Sequence, residues 1–233
     1  MSRTGTIKDM ARTLGRLERE DRRDRKFPLS EVVPRAQPER RWRYWWAQGW
    51  WGDQGRTPQC VAYSWLHWAK DGPRTNPFRA RRHRIIEPTA LYDRAQRKDG
   101  FPGTSYDGTT VRAGAKVLQT EGYVGEYRWA WDMRTLLDTV LTTGPVVVGT
   151  WWWTSMFFPD SEGFIRHGGD REGGHAYVVN GVNLDREIVR IKNSWGRNWG
   201  RNGHAYMRFA DFERVLSEGG EVCLAMPPQD EGA

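Results

Sequence analysis

The order of elements along this chain predicts an α+β protein of two lobes, one mostly helical and one mostly antiparallel β. Three observations carry that expectation. Apolar residues recur at helical spacing from about residue 60 to residue 141. From Gly144-Pro145 onward the pattern changes to short β-branched and aromatic runs separated by turns. Helices first and strands later argue for separate layers, not alternating βαβ units. A length of 233 residues suffices for two such lobes with a real core.

The elements follow in chain order. Ile7, Met10, Ala11, Leu14 and Leu17 stand at helical spacing and predict a short amphipathic helix within residues 1–26. Residues 27–39 contain Pro28, Pro34 and Pro38 and read as an extended linker. Residues 1–37 are therefore expected to be a charged arm and linker, and residues 38–233 the folded domain. Trp42, Trp45, Trp46, Trp50 and Trp51 follow, read as core and cleft rings more readily than as a stacking surface. Val61, Ala62, Trp65, Leu66, Trp68 and Ala69 give one helical face, ended by Asp71-Gly72-Pro73. The arginine-rich run over 74–84 reads as a solvated loop. Further helices are expected over Pro88–Arg97, Val111–Gly122 and Met133–Leu141, with a turn-rich loop at 100–108. Strands are expected at 146–153, Ala176–Asn180, Glu187–Lys192 and His204–Arg208, then a short helix near Ala210–Leu216. The helical lobe would span about 54–142 and the β lobe about 143–226.

Composition narrows the function classes. No run approaches the roughly 18 apolar residues that a membrane span requires. The N-terminus leads into charge and not into an apolar signal sequence, so a cytoplasmic location is expected. Cys60 and Cys223 are the only cysteines, which excludes a disulfide scaffold and favours a reducing compartment. A bridge between them would consume the one thiol in a reactive setting. The five histidines are scattered and no CxxC occurs, so neither a metal nor a cofactor is expected. Net charge is +7, and residues 1–44 carry 13 Lys/Arg against 7 Asp/Glu, a net +6. Interspersed acids and the lack of a base-reading motif favour a solubilising leader over an arm for nucleic acid or another acidic partner.

The chemistry is concentrated in two stretches. One is Gln54-Gly55-Arg56-Thr57-Pro58-Gln59-Cys60. The other runs from Gly173-Gly174-His175-Ala176-Tyr177 to Lys192-Asn193-Ser194-Trp195-Gly196 and Trp199-Gly200. A thiol, an imidazole and an amide in this order are the parts of nucleophilic cysteine catalysis. Cys60 starts a helix, where unpaired N–H groups and the macrodipole are expected to lower a thiol pKa. Gly-His-Ala-Tyr occurs twice, at 174–177 and 203–206, so His204 is a decoy for His175.

These motifs resemble those of the papain-like cysteine peptidases, over roughly residues 38–226. Gln54 lies six residues before Cys60, Trp42-Arg43 lies twelve before Gln54, and Asn193-Ser194-Trp195-Gly196 is the most specific element. Asp107-Gly108-Thr109-Thr110-Val111-Arg112 with Trp129 and Trp131 looks like the bacterial and viral branch. The resemblance implies a helical lobe and a β-barrel-like lobe with the active-site cleft between them. It implies a peptidase acting on protein or peptide substrates through a Cys60 thiolate–His175 imidazolium pair and a thioester intermediate. Asn193 would orient His175, and Trp195 would cover that hydrogen bond. The Gln54 amide and the Cys60 N–H would form an oxyanion hole worth roughly 3 kcal/mol per donor. Ala176, Asp107 and Gly108 would lie along the substrate pocket. The family histidine precedes the Asn-Ser-Trp-Gly turn, which selects His175 over His204.

The sequence also departs from the family. Thr57 stands where a second cysteine is common, Gln59 and Val61 flank the nucleophile, and the disulfide partner of Cys223 is missing. The leading residues are shorter than the usual inhibitory prosegment, so they read as a reduced prosegment or as an arm with another task. Two other functions remain open: a papain-fold binding or assembly module, including one in a virion, and a cell-wall peptide hydrolase.

Overall fold

A computed structural model describes residues 13–45, 50–71 and 87–226. Strand β1 (Trp42–Tyr44) precedes helix α1 (Cys60–Asp71), α2 (Pro88–Gln96) and α3 (Val111–Thr120). Then come β2 (Glu126–Ala130), α4 (Met133–Thr142), β3 (Val146–Trp153), β4 (Arg171–Asn183), β5 (Ile188–Lys192) and β6 (His204–Arg208). Helix α5 (Phe209–Ser217) and β7 (Glu221–Met226) end the described chain. The strands form one antiparallel sheet in the order β2-β7-β3-β4-β5-β6, with β1 paired to β4. Helices before the sheet and strands after them make this the α+β architecture that the residue pattern predicts.

Local chemistry explains the boundaries. The Thr110 side chain accepts from Ala113 N–H to start α3, and Asp132 accepts from Thr135 N–H to start α4. Pro88 sits in the first turn of α2, where its missing N–H costs nothing. Two buried clusters follow from the two layers. One gathers Val61, Trp65, Leu66, Leu91, Val111, Leu118 and Trp129 around α1, α2 and α3. The other gathers Leu136, Val148, Trp152, Tyr177, Val189, Trp195 and Phe212 around the sheet. Val147, Ala176 and Val178 of the sheet belong to the helical cluster, so the layers share a face. That shared face sets the cleft.

Three expectations need correction. Residues 13–18 are extended and not helical, although residues 1–12 and the arginine run lie outside the described residues. Backbone pairing with the domain, Arg16 N–H to Gly174 O and Leu17 N–H to Thr109 O, holds this stretch extended in place of helical turns. The stretch 27–39 is no free linker either. Short 3-10 turns span Arg22–Lys26 and Leu29–Glu31, Leu29 is fully buried in the sheet cluster, and Ala36 N–H donates to Asp138. Of the tryptophan run, Trp45 is buried with its indole N–H on Val140 O, but Trp42 is 60% exposed on the edge strand. Trp46 lies outside the described residues.

Leu29 gives a direct test of this docking. Leu29→Ala is expected to destabilise the whole chain by about 2–4 kcal/mol, the range for a buried leucine that leaves a cavity. Equilibrium denaturant unfolding followed by tryptophan fluorescence measures it. An unchanged midpoint would mean that the segment melts independently of the domain.

Candidate active site

Helix α1 brings Cys60 into the cleft as its first residue. The thiol is fully buried, and Ser64 Oγ returns to the Cys60 carbonyl at 2.8 Å. Helix α1 packs on β4, which carries His175 and Ala176. The Ala176 N–H is directed at the Cys60 sulfur. Both cysteines are free, so the thiol is not consumed by Cys223.

The imidazole is held from one side. His175 Nε2 lies 2.8 Å from Asn193 Oδ1, and the same oxygen accepts the Ser194 N–H at 2.8 Å. An amide oxygen that accepts from Ser194 N–H must accept from His175 as well, so Nε2 carries the proton. Nδ1 is then the basic nitrogen; it is buried and has no hydrogen-bond partner. Trp195 lies against the ring at 5.0 Å between centroids, and Trp152 meets it edge-on at 4.7 Å. This aromatic wall, with Phe157 and Trp199, keeps water from the His175–Asn193 bond.

Gln54 stands on the other side. Its Oε1 accepts from Ser194 Oγ at 2.5 Å, which fixes the amide and turns Nε2 into the cleft. Thr57 replaces the second cysteine and holds this turn. Its hydroxyl donates to Gln54 O at 2.6 Å, and its carbonyl accepts from Gln54 Nε2 at 2.8 Å. The two flanking departures are benign in position. Gln59 points to Thr89 at the surface, and Val61 fills the helical core.

The cleft is not empty of protein. Thr13 to Leu17 cross it in extended form. Gln54 Nε2 donates to Thr13 O at 2.9 Å. Thr109 N–H donates to Gly15 O, Arg16 N–H to Gly174 O, and Leu17 N–H to Thr109 O, each at 2.9 Å. Glycines make the close approach feasible. A Cβ on Gly15 would fall 2.1 Å from Pro58 O, and one on Gly174 would fall 2.0 Å from Arg16 O. Gly108, at φ +101°, would put a Cβ 2.6 Å from Gly15 O. The side chain of Arg16 is buried on Glu221, and Arg112 holds Asp24 further along.

Burial sets the protonation states. Burial pushes the Cys60 thiol up to about 11, against the pull of N–H groups from Ala176, Gly15 and Val61. The helix terminus therefore does not produce the lowered pKa that its position suggests, because desolvation is the larger effect here. Burial also pushes His175 down to about 4, with the Asn193 bond opposing.

The remaining sequence-derived residues divide clearly. Gly108 and Ala176 lie against the covering segment and the thiol, whereas Asp107 is exposed on the loop beside them. His204 is turned away, with Nδ1 on Asn202 O at 2.8 Å and Nε2 near Asn180. His67 is fully buried and accepts the Gly52 N–H at 3.1 Å. His167 reaches Glu218, and His83 lies outside the described residues. Thr109, Gly174 and Glu221 were not legible as site residues, since only the path of residues 13–17 reveals them. Four of the arm's described arginines have partners within the chain: Arg16 pairs with Glu221, Arg19 with Asp99 O, Arg23 with Asp21 and Arg25 with Glu20. That leaves the acidic-partner reading without support.

Comparisons with known proteins agree with this fold. The solved structure of xylellain, a cysteine protease from Xylella fastidiosa, is 19% identical with a TM-score of 0.72, covering 94% of this chain and 98% of that one. Procathepsin B S9 from Trypanosoma congolense is 14% identical with a TM-score of 0.69, covering 96% and 89%. Digestive procathepsin L 3 of Tenebrio molitor larval midgut is 17% identical with a TM-score of 0.59, covering 85% and 72%. At these identities the likeness is one of fold. No curated protein matches. No helix among the described residues is long and apolar enough to cross a membrane. The model of the papain family of cysteine proteases matches residues 81–218, which include His175 and Asn193 and begin after Cys60. That match spans more than half of the chain, and with the two-layer fold around the cleft it makes this protein a member of the papain family, a hydrolase of the cysteine peptidase class.

Proposed function

We propose that the chain is a cysteine endopeptidase in a self-covered precursor form, with Cys60 as nucleophile, His175 as acid and base, and Asn193 as the group that orients His175. The observation that carries this reading is the held imidazole. His175 Nε2 is fixed on Asn193, and its free Nδ1 is buried in the cleft that α1 opens with Cys60.

The mechanism follows from these atoms. Once the cleft opens, the Cys60 proton passes to His175 Nδ1, and the sulfur attacks the substrate carbonyl carbon. Charge on the carbonyl oxygen is met by Gln54 Nε2 and the Cys60 N–H. The C–N bond breaks, His175 gives its proton to the departing amine, and a thioester remains on Cys60. Water activated by His175 then attacks the thioester, and the sulfur leaves with the acid product formed. Trp195 excludes water from the His175–Asn193 bond throughout.

Residues 13–17 act as the cover, and residues 1–37 are then a prosegment more than a leader. Thr13 O occupies the amide that the oxyanion would need, and the thiol and imidazole are both neutral beneath Gly15. Two of the similar structures are described as procathepsins, which accords with a covered form. The test is incubation of the full chain with an epoxysuccinyl thiol inhibitor, followed by intact mass and peptide mapping. One adduct on Cys60, absent in Cys60→Ala, is expected. Failure of Cys60 to react during prolonged incubation, in the full chain and after loss of the leading residues, would overturn the peptidase reading.

A further inference from the structure

Helix α1 carries a second imidazole for which the reaction has no direct use. His67 lies two turns beyond Cys60 on the same helical face and is fully buried. Its Nε2 accepts the Gly52 N–H at 3.1 Å. A backbone N–H can only donate, so Nε2 carries no proton and Nδ1 holds the one proton of a neutral ring. Nδ1 is buried and has no hydrogen-bond partner among the described residues. The Trp50 ring meets His67 edge-on at 4.6 Å between centroids.

Gly52 begins the short run that delivers Gln54. Gly52 O accepts from Gly196 N–H at 3.1 Å, and Gln54 N–H donates to Ser194 O at 2.8 Å, so residues 52–54 lie along the turn that follows Asn193. Gly52 has no room for a side chain, since a Cβ would fall 2.4 Å from the Tyr63 ring of α1. His67 thus ties the nucleophile's own helix to the run that ends on the Gln54 amide.

The two buried histidines near this run respond differently to a proton. Trp51 donates its indole N–H to Asn202 O at 2.7 Å, and the same oxygen takes His204 Nδ1–H at 2.8 Å. A second proton on His204 keeps that bond, because Nδ1 is already the donor. A second proton on His67 breaks its bond, because Nε2–H would confront the Gly52 N–H with no lone pair between them. Burial holds His67 well below the ordinary histidine value, and Lys192 of β5, His204 of β6 and Lys70 of α1 add to the effect. Asp53, next to Gly52, turns its carboxylate to the Gly55 N–H at 2.9 Å, and Glu87 before α2 acts on Lys70. A depressed histidine contributes stability that is complete above its unperturbed value, about 6.5, and is lost as pH falls below it. Release of Gly52 therefore gains up to about tenfold per pH unit in that range.

We propose that His67 is a positioning residue for the peptidase: its neutral imidazole holds Gly52, and through Gly52 the Gln54 amide, and a proton on Nε2 releases both. Oxyanion binding is thus acid-sensitive independently of the Cys60–His175 pair. The inference rests on the peptidase reading given above.

Two measurements on the full chain test it. Amide hydrogen exchange followed by NMR, corrected for the intrinsic rate at each pH, reads protection at Gly52. In the native chain that protection is expected to fall by about 30-fold between pH 7 and pH 5, beyond any change at Val148 in the middle of the sheet. His67→Gln, whose amide oxygen can take the same N–H without titrating, is expected to keep Gly52 protected across that range. If His67→Gln fails to fold, the comparison with Val148 in the native chain decides. The second measurement is kinetic and uses the full chain carrying Gly15→Val, in which the valine cannot pass Pro58 O and the cover cannot seat. In that background His67→Leu is expected to lower kcat by about tenfold or more at pH 7 with KM little changed, part of the 10²–10³ that an oxyanion donor supplies. His67→Gln is expected to restore kcat at pH 7 and to move its acidic limb to lower pH. Gly52 protection that falls no more than that at Val148, or that falls equally in His67→Gln, would overturn the inference, as would a kcat indifferent to His67→Leu. Labelling of Cys60 in those cases leaves the peptidase reading standing. No cleavage of any peptide together with no labelling of Cys60 would sink both.

Discussion

Gly15→Val in the full chain is expected to raise the rate at which Cys60 is labelled by about 10²–10³-fold. The reason is steric and local. A side chain at residue 15 meets Pro58 O at 2.1 Å, and backbone cannot yield as a flexible side chain could. The segment must lift, and four hydrogen bonds go with it: Gln54 to Thr13 O, Thr109 to Gly15 O, Arg16 to Gly174 O, and Leu17 to Thr109 O. At a net value of about 1 kcal/mol each, the cover loses roughly 3–4 kcal/mol, which sets the expected factor. The rest of the arm stays in place, because Leu29 remains in the core and Asp24 remains on Arg112. The melting temperature should therefore fall by several degrees without loss of the fold, the scale of a roughly 3–4 kcal/mol loss in a chain of this length. Labelling is followed by intact mass against time with an epoxysuccinyl inhibitor. A folded Gly15→Val protein that labels no faster than the native chain would show that residues 13–17 do not control access.

The elements that could be read from sequence are those whose burial follows a local period. Strand β6 at His204–Arg208, helix α3 from Val111 and helix α4 from Met133 all show it. Strand β2 does not: Glu126 and Arg128 alternate with large aromatics, but burial does not follow that alternation, since Glu126, Tyr127 and Arg128 are all half-buried. Strand β7 was missed for another reason. It starts on Glu221, a charge whose partner, Arg16, lies 205 residues away in sequence. The same distance hid the covering segment. Leu14 and Leu17 share a helical spacing, but three residues apart also suits an extended chain whose glycine passes a wall. In the site itself, Cys60, His175, Asn193 and Gln54 were legible because each sits in a motif with fixed spacing. Thr109 and Gly174 contribute backbone only, so their side chains carry no signal. The thiol's protonation was misjudged from sequence because a helix terminus is visible in one dimension and burial is not.

That misjudgement leads to a sharp spectroscopic prediction. In the covered chain the thiol sits near 11 and the imidazole near 4, so at pH 7 both are neutral. The thiolate fraction of such a thiol at pH 7 is about 10⁻⁴. Lifting the segment removes the main cause, desolvation, and leaves the N-terminus of α1 and, in the proposed mechanism, the His175 imidazole to act on the sulfur. Both favour the thiolate–imidazolium pair. The thiolate fraction at pH 7 is then expected to approach one, a change of about four orders of magnitude. Thiolate ultraviolet absorbance should show a single thiolate at pH 7 in Gly15→Val, none in the native chain, and none in Gly15→Val with Cys60→Ser. Proton bookkeeping adds a second expectation. A neutral thiol with neutral imidazole binds the same number of protons as thiolate with imidazolium, so opening the cleft takes up or releases none through this pair between about pH 5 and 8, below the ordinary thiol value of about 8.5. The opening equilibrium should then be indifferent to pH in that window as far as Cys60 and His175 are concerned. A native chain that already displays a thiolate at pH 7 would remove the cover from the electrostatic account, since Gly15 would then shield the sulfur from reagents without changing its charge.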